Sequence, residues 1–293
     1  MSTEEQERSD RQGEVGGPGA KEEDDEGREV AGVGPVQLMK GGRKRRRKAV
    51  LSFPSNVTLR DFLYFLLAPS LVYEPCFPRL KRARRWGYIL TRLAEGVLFM
   101  FIQYFIVAQF MLPVLRRVDG TPLWYAMMKL AIPSFLLWLA MFYVTFHCAL
   151  NVMAELLLFA DREFFREWWN ATSLDKFWRD WNRPVHEWCL RHIYVESMHY
   201  GHVSKRAATF ITFLLSAVLH ELLFSVAFKT ARPWFFLGMM AQVPLILVGR
   251  SFRGTRRGNY LVWLSLFSGQ PLLEVLYFRE WYVTHESFFC VES

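Results

Sequence analysis

The chain has 293 residues, a net charge of +8 and 52% hydrophobic residues, including 26 Phe, 11 Trp and 11 Tyr. A basic balance suits an anionic surface or nucleic acid. A nucleic-acid domain would not also carry several charge-free runs of bilayer length, so no nucleic-acid partner is expected. The four cysteines, Cys76, Cys148, Cys189 and Cys290, form no CxxC pair, which argues against a metal site or a disulfide framework and for buried thiols.

Residues 1–50 read as an acidic, then basic, cytosolic tail. The first 30 hold 11 acidic and 4 basic residues with several glycines, too little apolar material for a core, and predict disorder. No apolar stretch follows the start, so the tail is not a signal peptide. Lys40–Lys48 then gathers seven basic residues without an acid. A nuclear-localisation signal is one reading; the apolar runs downstream favour a juxtamembrane cluster. Residues 51–285 are expected to form the membrane domain. It opens at Ser55–Leu71, whose apolar stretch is too short to span and predicts an interfacial or re-entrant helix. Arg79–Arg85, "RLKRARR", reads as a second cytosolic anchor.

Five spans follow. Gly96–Leu115 has 20 residues without a charge, in a helix starting near Tyr88, and Leu130–Ala154 has 25, with Pro133 a kink site. Ala207–Phe228, Pro233–Gly249 and a core at Gly258–Leu273 complete the set. The fold class is therefore an all-α polytopic membrane protein. The loop 160–206 carries eight Lys/Arg and the loop Arg250–Gly258 four, against two in each loop on the other side. The positive-inside rule then puts the N-terminus in the cytosol and the C-terminus in the lumen. The sequons at Asn56 and Asn170 fall on the cytosolic side and read as chance matches.

Three features carry chemistry. The loop 160–206 packs Trp168, Trp169, Trp178, Trp181 and Trp188 among nearly cancelling charges. Aromatic rings with a polar edge favour a membrane boundary or a buried cleft, so the loop is either an amphipathic anchor or a substrate-binding lid. His220 and Glu221 are the only ionisable residues between Ala207 and Phe228. An ionisable group inside a span is a functional hypothesis by default, and a neutral imidazole can act as general base for an alcohol. Glu221 lies about 100° round the helix, as a counter-charge, an orienter or a partner for a neighbouring helix. Gln242 and Gln270 are isolated carboxamides in the last two spans, able to donate to an oxyanion or to join helices.

Together these segments resemble the membrane-bound O-acyltransferase family, in the branch holding acyl-CoA:diacylglycerol and sterol acyltransferases. "FFREWWN" (Phe164–Asn170) looks like the branch's F-Y-x-D-W-W-N box, "WNRPVHEW" (Trp181–Trp188) like its W-N-x-P-V-H segment, and "SAVLHE" like the stretch bearing its catalytic histidine. "AELLLFADREFFREWWN", "GMMAQVP" and "GNYLVWLSLFSGQP" resemble the diacylglycerol side of the branch. The likeness runs from about Ser55 to Tyr282.

The resemblance implies a helical-bundle enzyme of the endoplasmic reticulum membrane. It would transfer an acyl group from acyl-CoA, a co-substrate and not a cofactor, to diacylglycerol, giving triacylglycerol. It implies His220 as general base, Glu221 as its support, and Asn182, Gln242 and Gln270 around the reacting carbonyl. Met239 would line an acyl tunnel, and Phe164, Trp168, Trp169, Asn170 and His186 would help recognise substrate. A sterol or fatty alcohol is the alternative acceptor. Relatives are expected to carry about four further helices before the segment at Ser55. The chain would then be a shortened enzyme, or an inactive partner that regulates a full-length relative; a homo-oligomer is also open. Leu222 stands where the family usually has a tyrosine.

Overall fold

The computed structural model describes residues 58–285 apart from 75, 119 and 230, with side chains to residue 281. The tail expected over residues 1–50, with its basic cluster, lies outside the described residues. The first helix, α1 (Leu59–Leu67), starts where Thr58 Oγ1 accepts from Asp61 N at 3.1 Å, a capping arrangement with an acid in the positive first turn. It stops at Ala68, which precedes Pro69 and takes an extended ψ of 138°, as the residue before proline must. Leu59, Phe62, Leu63, Leu66 and Leu67 leave one apolar stripe exposed, while Tyr64 Oη donates to Leu157 O at 3.3 Å.

Among the described residues, five helices are long and apolar enough to cross a membrane: α2 (Trp86–Leu115), α3 (Leu123–Leu156), α6 (Lys205–Phe228), α7 (Trp234–Gly249, then a short turn to Phe252) and α8 (Arg256–His285). Between α3 and α6 lie α4 (Leu174–Trp181) and α5, which begins at Arg183–Cys189 and continues through a π-helical segment Leu190–Val195 to Glu196–His199. Two spans also contain π-helical turns, Val107–Met111 in α2 and Tyr143–Ala149 in α3. The first ends beside Pro113, whose missing N–H removes a helical bond.

The expected spans are present, α2 starting close to the expected Tyr88, while α3 and α8 reach past the acids that bounded them on paper. In α2, Arg92 pairs with Glu95 at 2.7 Å and Tyr143 Oη of α3 donates to Glu95 at 3.0 Å. In α8, Glu274 accepts a short hydrogen bond from Ser134 of α3, so the helix continues through it. In α3 the bounding acid is Glu155, the single acid of that helix, whose side chain is 0% exposed.

Glu155 holds together the end of the domain where α2 begins and α3 ends. Arg82 grips it with both terminal nitrogens at 2.5 and 2.7 Å, Arg162 pairs with it at 2.8 Å, and Arg85 reaches it at 3.3 Å while donating its backbone N–H at 3.0 Å. Arg84 donates to Leu156 O at 2.8 Å. An antiparallel bridge between Arg79 and Phe159, with Leu80 N donating to Leu158 O at 2.7 Å, runs alongside. Arg79–Arg85 is therefore not simply an anchor on lipid: Arg82 and Arg85 face a carboxylate that no solvent reaches. The thiols divide too. Cys148 is buried and Cys189 partly so, but Cys76, on the segment between α1 and this bridge, is exposed, which corrects the expectation of burial there.

Glu155→Ala should leave three guanidinium groups without their counter-charge and cost about 3–5 kcal/mol. Glu163→Ala, at the exposed Arg166–Glu163 pair (44% and 49% exposed), should cost under about 1 kcal/mol. Thermal unfolding of the purified variants checks the contrast.

Candidate active site

α6 begins at Ser204, whose Oγ accepts from Ala207 N at 3.3 Å, and carries His220 about 22 Å along its axis at 1.5 Å per residue. His220 Nδ1 lies 2.7 Å from Ser216 O and 3.4 Å from Ser216 Oγ. A carbonyl oxygen can only accept, so Nδ1 carries a proton, and in a neutral ring the lone pair is then on Nε2. Nε2 makes no hydrogen bond among the described residues. This is the tautomer a general base needs.

Two helix pairs set what lies level with that lone pair. Phe224 of α6 stacks on Phe235 of α7 at 3.5 Å and Glu221 accepts from Phe236 N at 3.0 Å. The two helices run antiparallel, with His220 level with Leu237–Met239 and Ser216 level with Gln242. A β-carbon on Gly238 would meet Leu273 Cδ2 at 3.2 Å, and one on Gly249 would meet Leu261 Cδ2 at 3.2 Å. That register sets α7 antiparallel to α8, with Gln242 level with residues 268–270. Ser216, His220, Gln242 and Gln270 thus share one layer about a helical turn thick. Met239, 8% exposed, belongs to the same layer.

Glu221 does not reach His220. Its carboxylate accepts from Tyr277 Oη at 2.7 Å, Ser225 Oγ at 3.1 Å and Phe236 N at 3.0 Å. Among the roles open from the sequence, the geometry takes the neighbouring-helix one, and any support to the histidine is indirect.

Asn182 precedes α5 as its N-cap, and His186 lies within the first turn of that helix. Asn182 Oδ1 caps α5 by accepting from Val185 N at 3.2 Å, which fixes the amide. Burial, reinforced by Arg183 and Arg179, lowers the His186 pKa from the ordinary imidazole value, so this ring is neutral around pH 7. The "FFREWWN" box divides by exposure. Phe164 and Trp168 are 3% and 2% exposed and pack with Phe142, Phe146, Phe177 and Val262. Trp181 stacks flat on Trp138 of α3 at 4.2 Å and 10°. Phe164, Trp168 and Phe177, with the half-buried Trp178 and Trp181, thus make the first part of the Trp-rich loop core, because α3 offers it an aromatic wall. Arg166, Glu167, Trp169 (41% exposed) and Asn170 are what the box turns outward.

Several residues here were not singled out from the sequence. Asn259 Nδ2 donates to Trp169 O at 3.0 Å and Ala171 O at 2.9 Å, and Arg253 reaches Asp175 at 2.8 Å. A β-carbon on Gly258 would overlap the Thr172 carbonyl, so glycine is required where the start of α8 meets the box. Gly258 and Asn259 sit in the quoted "GNYLVWLSLFSGQP" segment; that position was the available signal. Ser134, Glu274 and Tyr277 gave none beyond polarity within an apolar run.

Residues 39–279 match the model of MBOAT, the membrane-bound O-acyltransferase family. Diacylglycerol O-acyltransferase 1 of Bos taurus is 44% identical over 251 residues, covering 83% of this chain and 50% of the relative. The Homo sapiens protein of that name is 44% identical over 241 residues (80% and 49%), and the Dictyostelium discoideum one 40% over 245 residues (78% and 39%). The chain spans about half the length of these curated relatives.

His186 supplies a test by pH. Its folded pKa is depressed, so the unfolded chain binds more protons. The stability it contributes is full above about pH 6.5 and is lost as pH falls toward the folded value. Between pH 7.5 and 5, His186→Gln should flatten the fall in unfolding temperature; an unchanged slope would place the effect elsewhere.

Proposed function

From its membership of the membrane-bound O-acyltransferase family, we propose that the chain transfers an acyl group from acyl-CoA to diacylglycerol, making triacylglycerol. The observation that carries this reading is the placement of the His220 ring, with Nδ1 held by the Ser216 carbonyl and Nε2 unengaged in a layer shared with Gln242 and Gln270. In the step proposed, Nε2 takes the proton of the acceptor hydroxyl as its oxygen attacks the thioester carbonyl. The carbonyl oxygen, carrying the developing charge, accepts hydrogen bonds from carboxamides of Gln242, Gln270 and Asn182. The C–S bond then breaks, and the leaving CoA sulfur takes the proton from His220. The identity of relatives named as diacylglycerol O-acyltransferases supports diacylglycerol over a sterol or fatty alcohol as acceptor.

The other site residues take supporting places. Met239 lines the acyl path beside His220. Trp169 and Asn170 contact acyl-CoA, Phe164 and Trp168 hold the box from behind, and His186 contacts substrate as a neutral ring. The Lys/Arg-rich face, which includes the box, is cytosolic in the endoplasmic reticulum membrane. That puts the N-terminus in the cytosol, the C-terminus in the lumen and the box where a water-soluble acyl-CoA arrives. Self-association completes the proposed assembly.

Expression in cells lacking triacylglycerol synthesis, fed labelled fatty acid, tests the assignment. The chain should produce labelled triacylglycerol, and His220→Ala should reduce it about a hundredfold or more at equal membrane abundance, in line with losing a general base. Retained transfer in that variant would remove His220 from the mechanism. Preference for a sterol acceptor over diacylglycerol would overturn the substrate.

A further inference from the structure

α7 starts without a cap of its own. The residue before it is Pro233, which makes no side-chain cap hydrogen bond, so the first N–H groups of the helix need partners from elsewhere. Two arrive from neighbouring helices. Phe235 N donates to Tyr277 Oη of α8 at 3.3 Å, and Phe236 N donates to Glu221 Oε2 of α6 at 3.0 Å. Tyr277 Oη donates in turn to Glu221 Oε1 at 2.7 Å, so hydroxyl and carboxylate act as one unit. Arg232 O, 3.0 Å away, is a second acceptor for the same hydroxyl. Tyr277 is 2% exposed, and its ring lies against Phe224, Phe228 and Phe235 at 6.0, 5.6 and 5.3 Å. Three helices therefore meet on one phenol, and a carboxylate sits at a helix N-terminus where the partial positive charge favours it.

We propose that Tyr277 and Glu221 form a cap supplied from outside α7, and that this cap is a positioning device for acyl transfer. Met239 and Gln242 lie one and two turns beyond the capped amides. The point at which α7 is pinned to α6 sets their height against His220, and a displacement of about 1 Å at a reacting centre can cost a hundredfold in rate. Tyr277 touches no reacting atom. The proposal also accounts for Glu221 facing away from the histidine it follows. It rests on the acyl-transfer reading, since the layer being aligned is the proposed reaction centre.

The test uses the whole chain in lipid nanodiscs. Tyr277→Phe removes the hydroxyl and keeps the ring. Amide exchange at Phe235 and Phe236 should rise about tenfold. kcat should fall about tenfold, with the KM for acyl-CoA within about twofold, because the helix start is loosened and not the acyl-CoA contacts. Glu221→Gln serves as a second variant, with the same rise in exchange at Phe236. Ser225→Ala, which removes a Glu221 contact that does not involve α7, should leave both readouts near the parent values. Unchanged exchange in Tyr277→Phe and Glu221→Gln would overturn the cap. Raised exchange with unchanged kcat would overturn the positioning role. A parent chain without His220-dependent transfer would refute the acyl-transfer reading and the positioning role with it, while exchange would still decide the cap.

Discussion

One carboxylate that no water reaches organises the end of this domain where the polar segments gather. Glu155 draws Arg82 and Arg85 from the segment before α2 and Arg162 from the segment after α3. A buried anion is tolerated only when its partners are close and its lone pairs are filled, so three stretches of chain are constrained by one side chain. Arg85 N–H also donates to it, which fixes where α2 starts, and Arg162 sits two residues before Phe164. The aromatic wall of α3 and the box that packs on it are thereby held in register. Asn259 and Gly258 close the same box from the start of α8.

Within the spans the same rule works on a smaller scale. With no water in the hydrocarbon, each polar group has to find a partner in a neighbouring helix. Glu95 finds Tyr143, Glu274 finds Ser134, and Glu221 finds Tyr277 and the exposed amides of α7. These contacts bind helices pairwise and set their axial registers. His220 differs: one ring nitrogen is fixed by its own helix and the other makes no hydrogen bond among the described residues.

The five spans were legible because a run of some twenty uncharged residues has few other uses, and three of them (the first with its start near Tyr88, Ala207–Phe228 and Pro233–Gly249) fell within a few residues of the helices at both ends. The ends were not legible where a charge was neutralised by a partner distant in sequence. Glu274 seemed to stop the last span at Leu273, yet Ser134, on a helix far earlier in the chain, lets it continue. The Trp-rich loop was open between anchor and lid for the same reason. Its partner surface, Trp138, Phe142 and Phe146, lies on α3, and nothing within residues 160–206 announces it. The histidine was legible as an isolated ionisable group in an apolar run. Its tautomer, and the direction taken by Glu221, required coordinates.

The central claim is that the reaction layer lies where α6, α7 and α8 bring His220, Gln242 and Gln270 level. Electron cryomicroscopy of the chain bound to a non-hydrolysable acyl-CoA analogue addresses it most directly. The account predicts the carbonyl that replaces the thioester within hydrogen-bonding reach of the two carboxamides and close to His220 Nε2, with the CoA moiety on the Trp169 side. An analogue whose carbonyl lies outside that layer, away from His220, would contradict it.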